Sequence, residues 1–191
     1  MALQHEHLDV EALFAACRVT PDARVLEVGC GSGYFLGRWA RRQRRTLCGV
    51  DPDVRALRMG LSAAGTVRCC VGRGEALPFR AGRFDIVLCW FVLHELVDAP
   101  GGIIPRILTE CRRIIGLGGR CIVVEYQPAL NPRRARRLAP GALQAMLRDT
   151  WGDPGCSLDV QPDRFYQIAV RMPDPERSLQ PGGRGVPEDW P

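Results

Sequence analysis

The chain has 191 residues, 46% of them hydrophobic, and a formal net charge of +5 from 26 basic and 21 acidic side chains. That length holds one α/β domain with a buried core and little more, and no apolar run approaches the roughly 20 residues of a bilayer-spanning helix. Every basic residue is arginine, and the charge is too modest and too poor in interleaved aromatics to suggest a nucleic-acid reader.

In chain order, a short amphipathic helix is expected over 8–17. The acidic residues Glu6, Asp9 and Glu11 there do not follow the charged-then-apolar layout of a signal peptide. A buried strand follows at 24–29, with Val25, Leu26 and Val28 as its apolar residues. It breaks into the glycine turn Gly29, Gly31, Gly33 and reopens as a helix over 33–43 with Leu36, Trp39 and Ala40 turned inward. Glycine at such a turn lets the chain reverse sharply and lets a ligand approach the backbone closely. A second strand at 46–50 ends beside Asp51, about twenty residues past Gly29. In a doubly wound α/β fold that position reaches the ribose hydroxyls of a nucleotide. Further helices are expected at 53–64, at 103–115 with Gly116 as C-cap, and at 142–150, which Pro140-Gly141 breaks or begins. Strands are expected at 66–71, 84–90, 119–126, weakly at 157–160, and at 165–171. Strands alternating with helices imply a mostly parallel sheet. One domain over 1–171 is followed by a proline- and glycine-rich stretch, 172–191, that reads as a disordered tail.

Nine cysteines are an odd number, and Cys48, Cys69, Cys70, Cys89 and Cys121 lie within apolar strands. They read as small buried hydrophobes in a reducing cytoplasm, the expected location. No C-x-x-C spacing occurs, Cys69 and Cys70 point to opposite faces of their strand, and no metal site is expected. His94-Glu95 resembles the start of an H-E-x-x-H zinc site, but position 98 is Asp98 and the second ligand is missing. Two arginine clusters, Arg38 with Arg41, Arg42, Arg44 and Arg45, and Arg133 with Arg134, Arg136 and Arg137, read as solvated faces. The alternative is a patch for an anionic partner such as RNA or a lipid head group.

The glycine spacing is not the G-x-G-x-x-G of nicotinamide and flavin enzymes, because position 34 is Tyr34. The run Glu27, Gly29, Gly31, Gly33 instead resembles the first motif of class I S-adenosylmethionine (SAM) dependent methyltransferases. Later segments strengthen the likeness: Leu77-Pro78-Phe79 before Phe84-Asp85, then Leu93-His94-Glu95-Leu96, then Glu110 and Arg113 before Gly118-Gly119. The ordered set, over about 19–126, resembles the small-molecule branch containing the ubiquinone and menaquinone C-methyltransferases. The resemblance implies a Rossmann-like seven-stranded sheet, order 3-2-1-4-5-7-6, with the last strand antiparallel.

It also implies SAM as cofactor and a small molecule as methyl acceptor. Gly29, Gly31 and Gly33 would admit the amino-acid part and ribose, Glu27 would order the loop, Asp51 would take the ribose hydroxyls, and Pro52 would line the adenine. Gly74 would offer its amide to the adenine, and the Trp90 backbone would meet the methionine part. The acidic residue that accepts from the adenine amino group in the family falls at position 73, where this chain has Arg73. Arginine offers donors only, so either Glu75 substitutes or the adenine is held by stacking and backbone alone. Either the acceptor is missing, and Arg73→Asp would tighten SAM binding, or Arg73 pairs with Glu75 or an anionic substrate, and the substitution would weaken binding or turnover. His94 is read either as a histidine satisfied by backbone at a helix start or as a catalytic base or acceptor-orienting group. An active small-molecule methyltransferase is one reading of the chain. A non-catalytic SAM-fold protein that binds or activates a partner is the other.

Overall fold

The computed structural model describes residues 19–20, 22–43, 47–61, 67–126, 138–152, 156–161 and 165–173. The expected helix over 8–17, the C-terminal tail from 174 on and the second arginine cluster lie outside these residues. Of the first cluster, only the Arg38 side chain is described, and it reaches the Tyr34 hydroxyl at 3.3 Å.

Seven strands form one sheet in the order β3-β2-β1-β4-β5-β7-β6. They are β1 (Val25–Val28), β2 (Leu47–Asp51), β3 (Val67–Val71), β4 (Phe84–Trp90), β5 (Ile115–Tyr126), β6 (Cys156–Gln161) and β7 (Phe165–Arg171). The first five pair in parallel, and β7 runs antiparallel to both β5 and β6. The helices are α1 (Tyr34–Gln43), α2 (Val54–Leu61), α3 (Ile103–Ile114) and α4 (Pro140–Trp151), with a single 3₁₀ turn at Leu93–Glu95. Pro140 begins α4, which suits proline's fixed φ and missing donor at the first helical position. Among the described residues, no helix is long and apolar enough to cross a membrane.

Alternating strand residues separate two cores. Val25, Ile86, Leu88, Trp90, Ile122 and Val124 pack with Leu36, Trp39 and Ala40 of α1 and Leu57 of α2. Leu26, Val28, Val87, Cys89, Cys121 and Val123 pack with α3, α4 and Tyr166. Cys69 joins the first cluster and Cys70 the second, on opposite faces as the strand period requires. The Trp151 indole donates to the Leu108 carbonyl at 3.1 Å and ties α4 to α3.

The largest boundary difference from the sequence reading lies where α3 meets β5. Gly116 does not cap α3, because the chain leaves the helix at Ile115 in an extended conformation (φ −81°, ψ 135°) and enters β5 at once. Ile115 pairs with Phe84, the register shifts before Ile86, and Gly118 takes the left-handed conformation at φ +71°. The irregularity lets β5 begin four residues early, at Ile115 instead of 119, before it settles beside the middle of β4.

The seat of α2 is tight. A Cβ built on Gly60 would fall 1.5 Å from the Ser32 carbonyl oxygen in the glycine turn. Gly60→Ala must therefore push α2 away from that turn. Overpacking of this kind costs about 1–3 kcal/mol, which lowers Tm by roughly 2–12 °C in a domain of this size. Thermal unfolding of the variant measures this, and an unchanged Tm would contradict the close packing.

Candidate functional site

In the order 3-2-1-4-5-7-6 the winding reverses between β1 and β4. Ligands of doubly wound folds gather at that switch, outside the carboxyl ends of the strands. Two loops meet there. The loop after β1 holds Gly29, Gly31 and Gly33 at φ +75°, +54° and +71°. The loop after β4 carries Phe91, Val92 and the 3₁₀ turn, and Val92 Cγ2 lies 2.4 Å from where a Cβ on Gly29 would be. A Cβ on Gly33 would make ordinary contact with Cys69 Sγ at 3.4 Å, whereas no described atom lies within 4 Å of a Cβ built on Gly31. The turn is thus closed at its first glycine, lined at its third and open at its middle one, where a ligand can lie against bare backbone.

Asp51 fixes this shape. One carboxylate oxygen accepts the Gly31 N–H at 2.7 Å and the other accepts the Asp53 N–H at 2.8 Å. Gly29 and Cys30 donate to the Val50 carbonyl at 2.8 and 3.2 Å. A carboxylate has about four acceptor sites, so Asp51 keeps capacity for hydroxyl donors while it holds the loop. Pro52, next to it, is exposed. Glu27 lies at the end of β1, 2% exposed, and its Oε2 has no hydrogen-bond partner among the described residues. Burial, then the neighbouring Cys69 and Asp51, raises its pKa well above the carboxylate range. A buried orphan carboxyl oxygen beside an open glycine turn suits the cationic ammonium of an amino-acid ligand. Cys30 and Cys69 share a hydrogen bond that holds the Cys30 thiol up, with burial adding to it, and draws the Cys69 thiol down.

The 73–76 segment forms a small turn closed by a bridge between Arg73 and Ala76. Gly74 packs close to Ile107 and Val28, so a Cβ there would meet both at 3.1–3.3 Å. Arg73 is mostly exposed, and its Nε meets Glu75 Oε1 at 2.5 Å. Of the two expectations for Arg73, the structure therefore realises the pairing with Glu75. Burial alone would raise the Glu75 pKa, but its own backbone N–H and Arg73 together hold it below the usual range. The following Leu77-Pro78-Phe79 segment is clamped from α3. Glu110 accepts the Leu77 N–H at 2.7 Å, while Arg113 donates to the Phe79 and Leu77 carbonyls at 2.8 and 3.0 Å. Glu110 and Arg113 also pair with each other, which lowers the carboxyl's pKa and raises the guanidinium's.

At the end of β4, the Trp90 side chain is buried and meets Phe35 edge to face at 5.4 Å. Phe91 takes φ +51°, the sole non-glycine residue with positive φ among those described. Such a conformation costs of order 1–3 kcal/mol, and residues held in one cluster at functional sites. Its N–H is secured by the Val124 carbonyl at 2.8 Å, and its ring stacks on Tyr126 at 4.3 Å. His94 stands in the 3₁₀ turn instead of at the start of a longer helix. Its Nδ1 lies 2.6 Å from Oε2 of the fully buried Glu125. Glu125 Oε1 accepts the Leu93 and His94 N–H groups at 2.7 and 3.3 Å.

The sequence reading missed Glu125, Phe91 and Gly60. A glutamate at the end of an apolar run was the available signal for the first, and the other two carry none. It also missed a spatial cluster. Cys89, Cys111 and Cys121, from β4, α3 and β5, bring their sulfurs within 4.8 Å of one another in the second core. Each thiol is fully buried, and the neighbouring sulfurs and burial raise its pKa well above the ordinary value. Thiols held protonated in this way pack as small apolar groups.

Residues 26–123, just over half of the chain, match the family model described as a methyltransferase domain. An uncharacterized methyltransferase of Mycobacterium sp. (strain JLS) is 34% identical over 119 residues, covering 62% of this chain and 44% of that protein. A ubiquinone/menaquinone biosynthesis C-methyltransferase of Ralstonia nicotianae is 28% identical over 124 residues, covering 62% and 49%. The chain spans about half the length of the curated relatives it matches. Among solved structures, a SAM-dependent methyltransferase from Aquifex aeolicus superposes with a TM-score of 0.73 at 14% identity, covering 90% of this chain and 94% of that one. The PH0226 protein of Pyrococcus horikoshii gives a TM-score of 0.72 at 16% identity, covering 85% and 87%. With the sheet order and the glycine turn, these likenesses place the chain in the class I SAM-dependent methyltransferase superfamily.

Proposed function

We propose that the protein moves the sulfonium methyl of SAM to a small-molecule acceptor, in the cleft between the loops after β1 and β4. One arrangement carries the reading: Gly31 is open above while Asp51 clasps its amide from below. In this reading Gly29, Gly31 and Gly33 give the ligand bare backbone, and Asp51 turns its spare acceptor sites to the ribose diol. The orphan Glu27 oxygen receives the ammonium. Glu75, ordered by Arg73, stands in for the missing acidic acceptor of the adenine amino group, with Gly74 beside it and Pro52 on the rim. The Trp90 backbone borders the methionine part. The sulfonium supplies an already activated methyl, so the chain's residues align the acceptor and exclude water, which is catalysis by proximity and orientation. His94 is the proposed catalytic side chain, needed where the acceptor must give up a proton. The competing reading, a non-catalytic binding protein, draws on Arg73 standing where relatives place an acid. Calorimetry with SAM, followed by turnover of a labelled methyl in cell extract, separates the two: binding without any labelled product favours the second.

Three outcomes follow from these roles. Asp51→Ala weakens SAM binding by about 1.5–3 kcal/mol, the range for hydrogen bonds to a charged group, or roughly ten- to a hundredfold in Kd. Unchanged affinity would place the ribose elsewhere. Arg73→Asp sets a second carboxylate beside Glu75 and weakens SAM binding, whereas tighter binding would show that the adenine lacks an acceptor in the native chain. Glu27 has a raised pKa in the free protein and so holds a proton where an ordinary carboxyl would not. An ammonium placed against it favours the ionised form. SAM binding is therefore expected to release a proton, and affinity to rise with pH until Glu27 is ionised in the free protein as well. Calorimetry in two buffers of different ionisation enthalpy reads the release, and proton uptake would contradict it.

A further inference from the structure

Glu125 is fully buried at the carboxyl end of β5, and every group bonded to it is a donor from the loop after β4: the Leu93 N–H, the His94 N–H and His94 Nδ1. With Glu125 as the acceptor of this 2.6 Å contact and the ring neutral, the imidazole's proton sits on Nδ1 and the lone pair on Nε2. That Nε2 is buried and has no hydrogen-bond partner among the described residues. Its nearest charged neighbour is Glu95 Oε1 at 3.7 Å, beyond hydrogen-bond reach and on a side chain 63% exposed. Among the described residues, the other titratable groups around the pair are Tyr126, edge-on to the His94 ring at 5.4 Å, Tyr166, which pairs with Glu125 across β5 and β7, and the buried Cys89 thiol, which feels the Glu125 charge. The Tyr166 hydroxyl is committed to the Leu138 carbonyl, so it does not compete for the dyad. A structural histidine has both nitrogens satisfied. Here one is fixed by a buried carboxylate, and the other is a buried acceptor without a donor.

We propose that Glu125 is the positioning residue that makes His94 Nε2 a proton acceptor, and that the methyl acceptor reacts through a hydroxyl oxygen. The inference rests on the methyltransferase reading above. The substrate O–H bond breaks and its proton passes to Nε2. The oxygen takes the methyl carbon, and the electron pair of the broken S–C bond stays on the departing sulfur. The imidazolium is held by Glu125 and later returns its proton to solvent. An oxygen acceptor gives its proton to Nε2 from the same atom that takes the methyl, whereas an ammonium acceptor would have to lose its charge in a largely apolar setting. A phenol methylated at a ring carbon would use the same base, and the position of the methyl in the product separates the two.

Three phenols of graded acidity, phenol, 4-chlorophenol and 4-nitrophenol, serve as probes with SAM at pH 8. The native chain is expected to methylate their oxygen. In Glu125→Gln, the side-chain amide forces Nδ1 to accept, the proton moves to Nε2, and kcat on phenol falls about 10²–10⁴-fold, the usual span of general-base assistance. The loss is far smaller on 4-nitrophenol, which is already ionised. Glu125→Asp restores part of the phenol rate. SAM affinity stays within about twofold in Glu125→Gln, because the amide oxygen still accepts the Leu93 and His94 N–H groups that hold the loop after β4. Nitrogen NMR of His94 reads the dyad without turnover and expects the Nδ1–H form in the native chain and the Nε2–H form in Glu125→Gln. The proposal is overturned by an Nε2–H form in the native chain, by methylation at carbon, by an equal loss on all three phenols, or by no phenol turnover in a chain that binds SAM. Failure to bind SAM with the Nδ1–H form intact would instead overturn the function proposed above.

Discussion

The Asp51 carboxylate's hold on the Gly31 amide is the contact on which the site depends. A glycine turn with three residues at positive φ pays heavily in backbone entropy, and without a partner the Gly31 N–H would point its dipole into the fold unanswered. Asp51 answers it at 2.7 Å and answers Asp53 with its other oxygen, so one side chain joins the end of β1 to the start of α2. Everything around the turn is fitted to that geometry: Val92 against Gly29, Cys69 against Gly33, and α2 drawn in until only glycine fits at position 60. The opening left at Gly31 is what these contacts leave, and the proposed ligand site is placed there for that reason.

The second half of the cleft is held by a matching carboxylate. Glu125 closes the end of β5 over the loop after β4 by binding two of its backbone amides and one imidazole nitrogen. Phe91 takes its positive φ in the same loop, its N–H tied to Val124 and its ring stacked on Tyr126. Two buried acids at the ends of β2 and β5, on either side of the β1–β4 switch, thus shape the two loops between which reaction would occur. A third acid, Glu110, works at a distance with Arg113 by pinning the 77–79 segment from α3.

Much of this was legible in the sequence because it follows from local rules. The strand alternation around Val25–Val28, the glycine spacing and the acidic residue twenty positions on are backbone requirements written as residue types. The sheet order and the antiparallel β7 came from the ordered motif set. The failures have a common cause. Gly60 reads as an unremarkable helix glycine until Ser32 is placed against it. Gly116 looked like a helix cap because sequence cannot show that Ile115 is already paired with Phe84. Glu125 and His94 are 31 residues apart and meet only because β4 and β5 are neighbours. The Cys89, Cys111 and Cys121 trio has no motif spacing at all, since its members come from three elements brought together by the second core. Arg73 shows the converse, a departure from a family pattern visible in the sequence, whose pairing with Glu75 only the structure shows.

The central claim is that SAM enters at the Gly31 opening and is held by the segments that converge on it. Hydrogen–deuterium exchange with and without SAM tests it across the whole chain at once. Protection is expected in the segments holding 27–33, 51–53, 73–77 and 90–95, with the amides of β6 and β7 unchanged. Protection confined to other segments, or none at saturating SAM, would contradict the account.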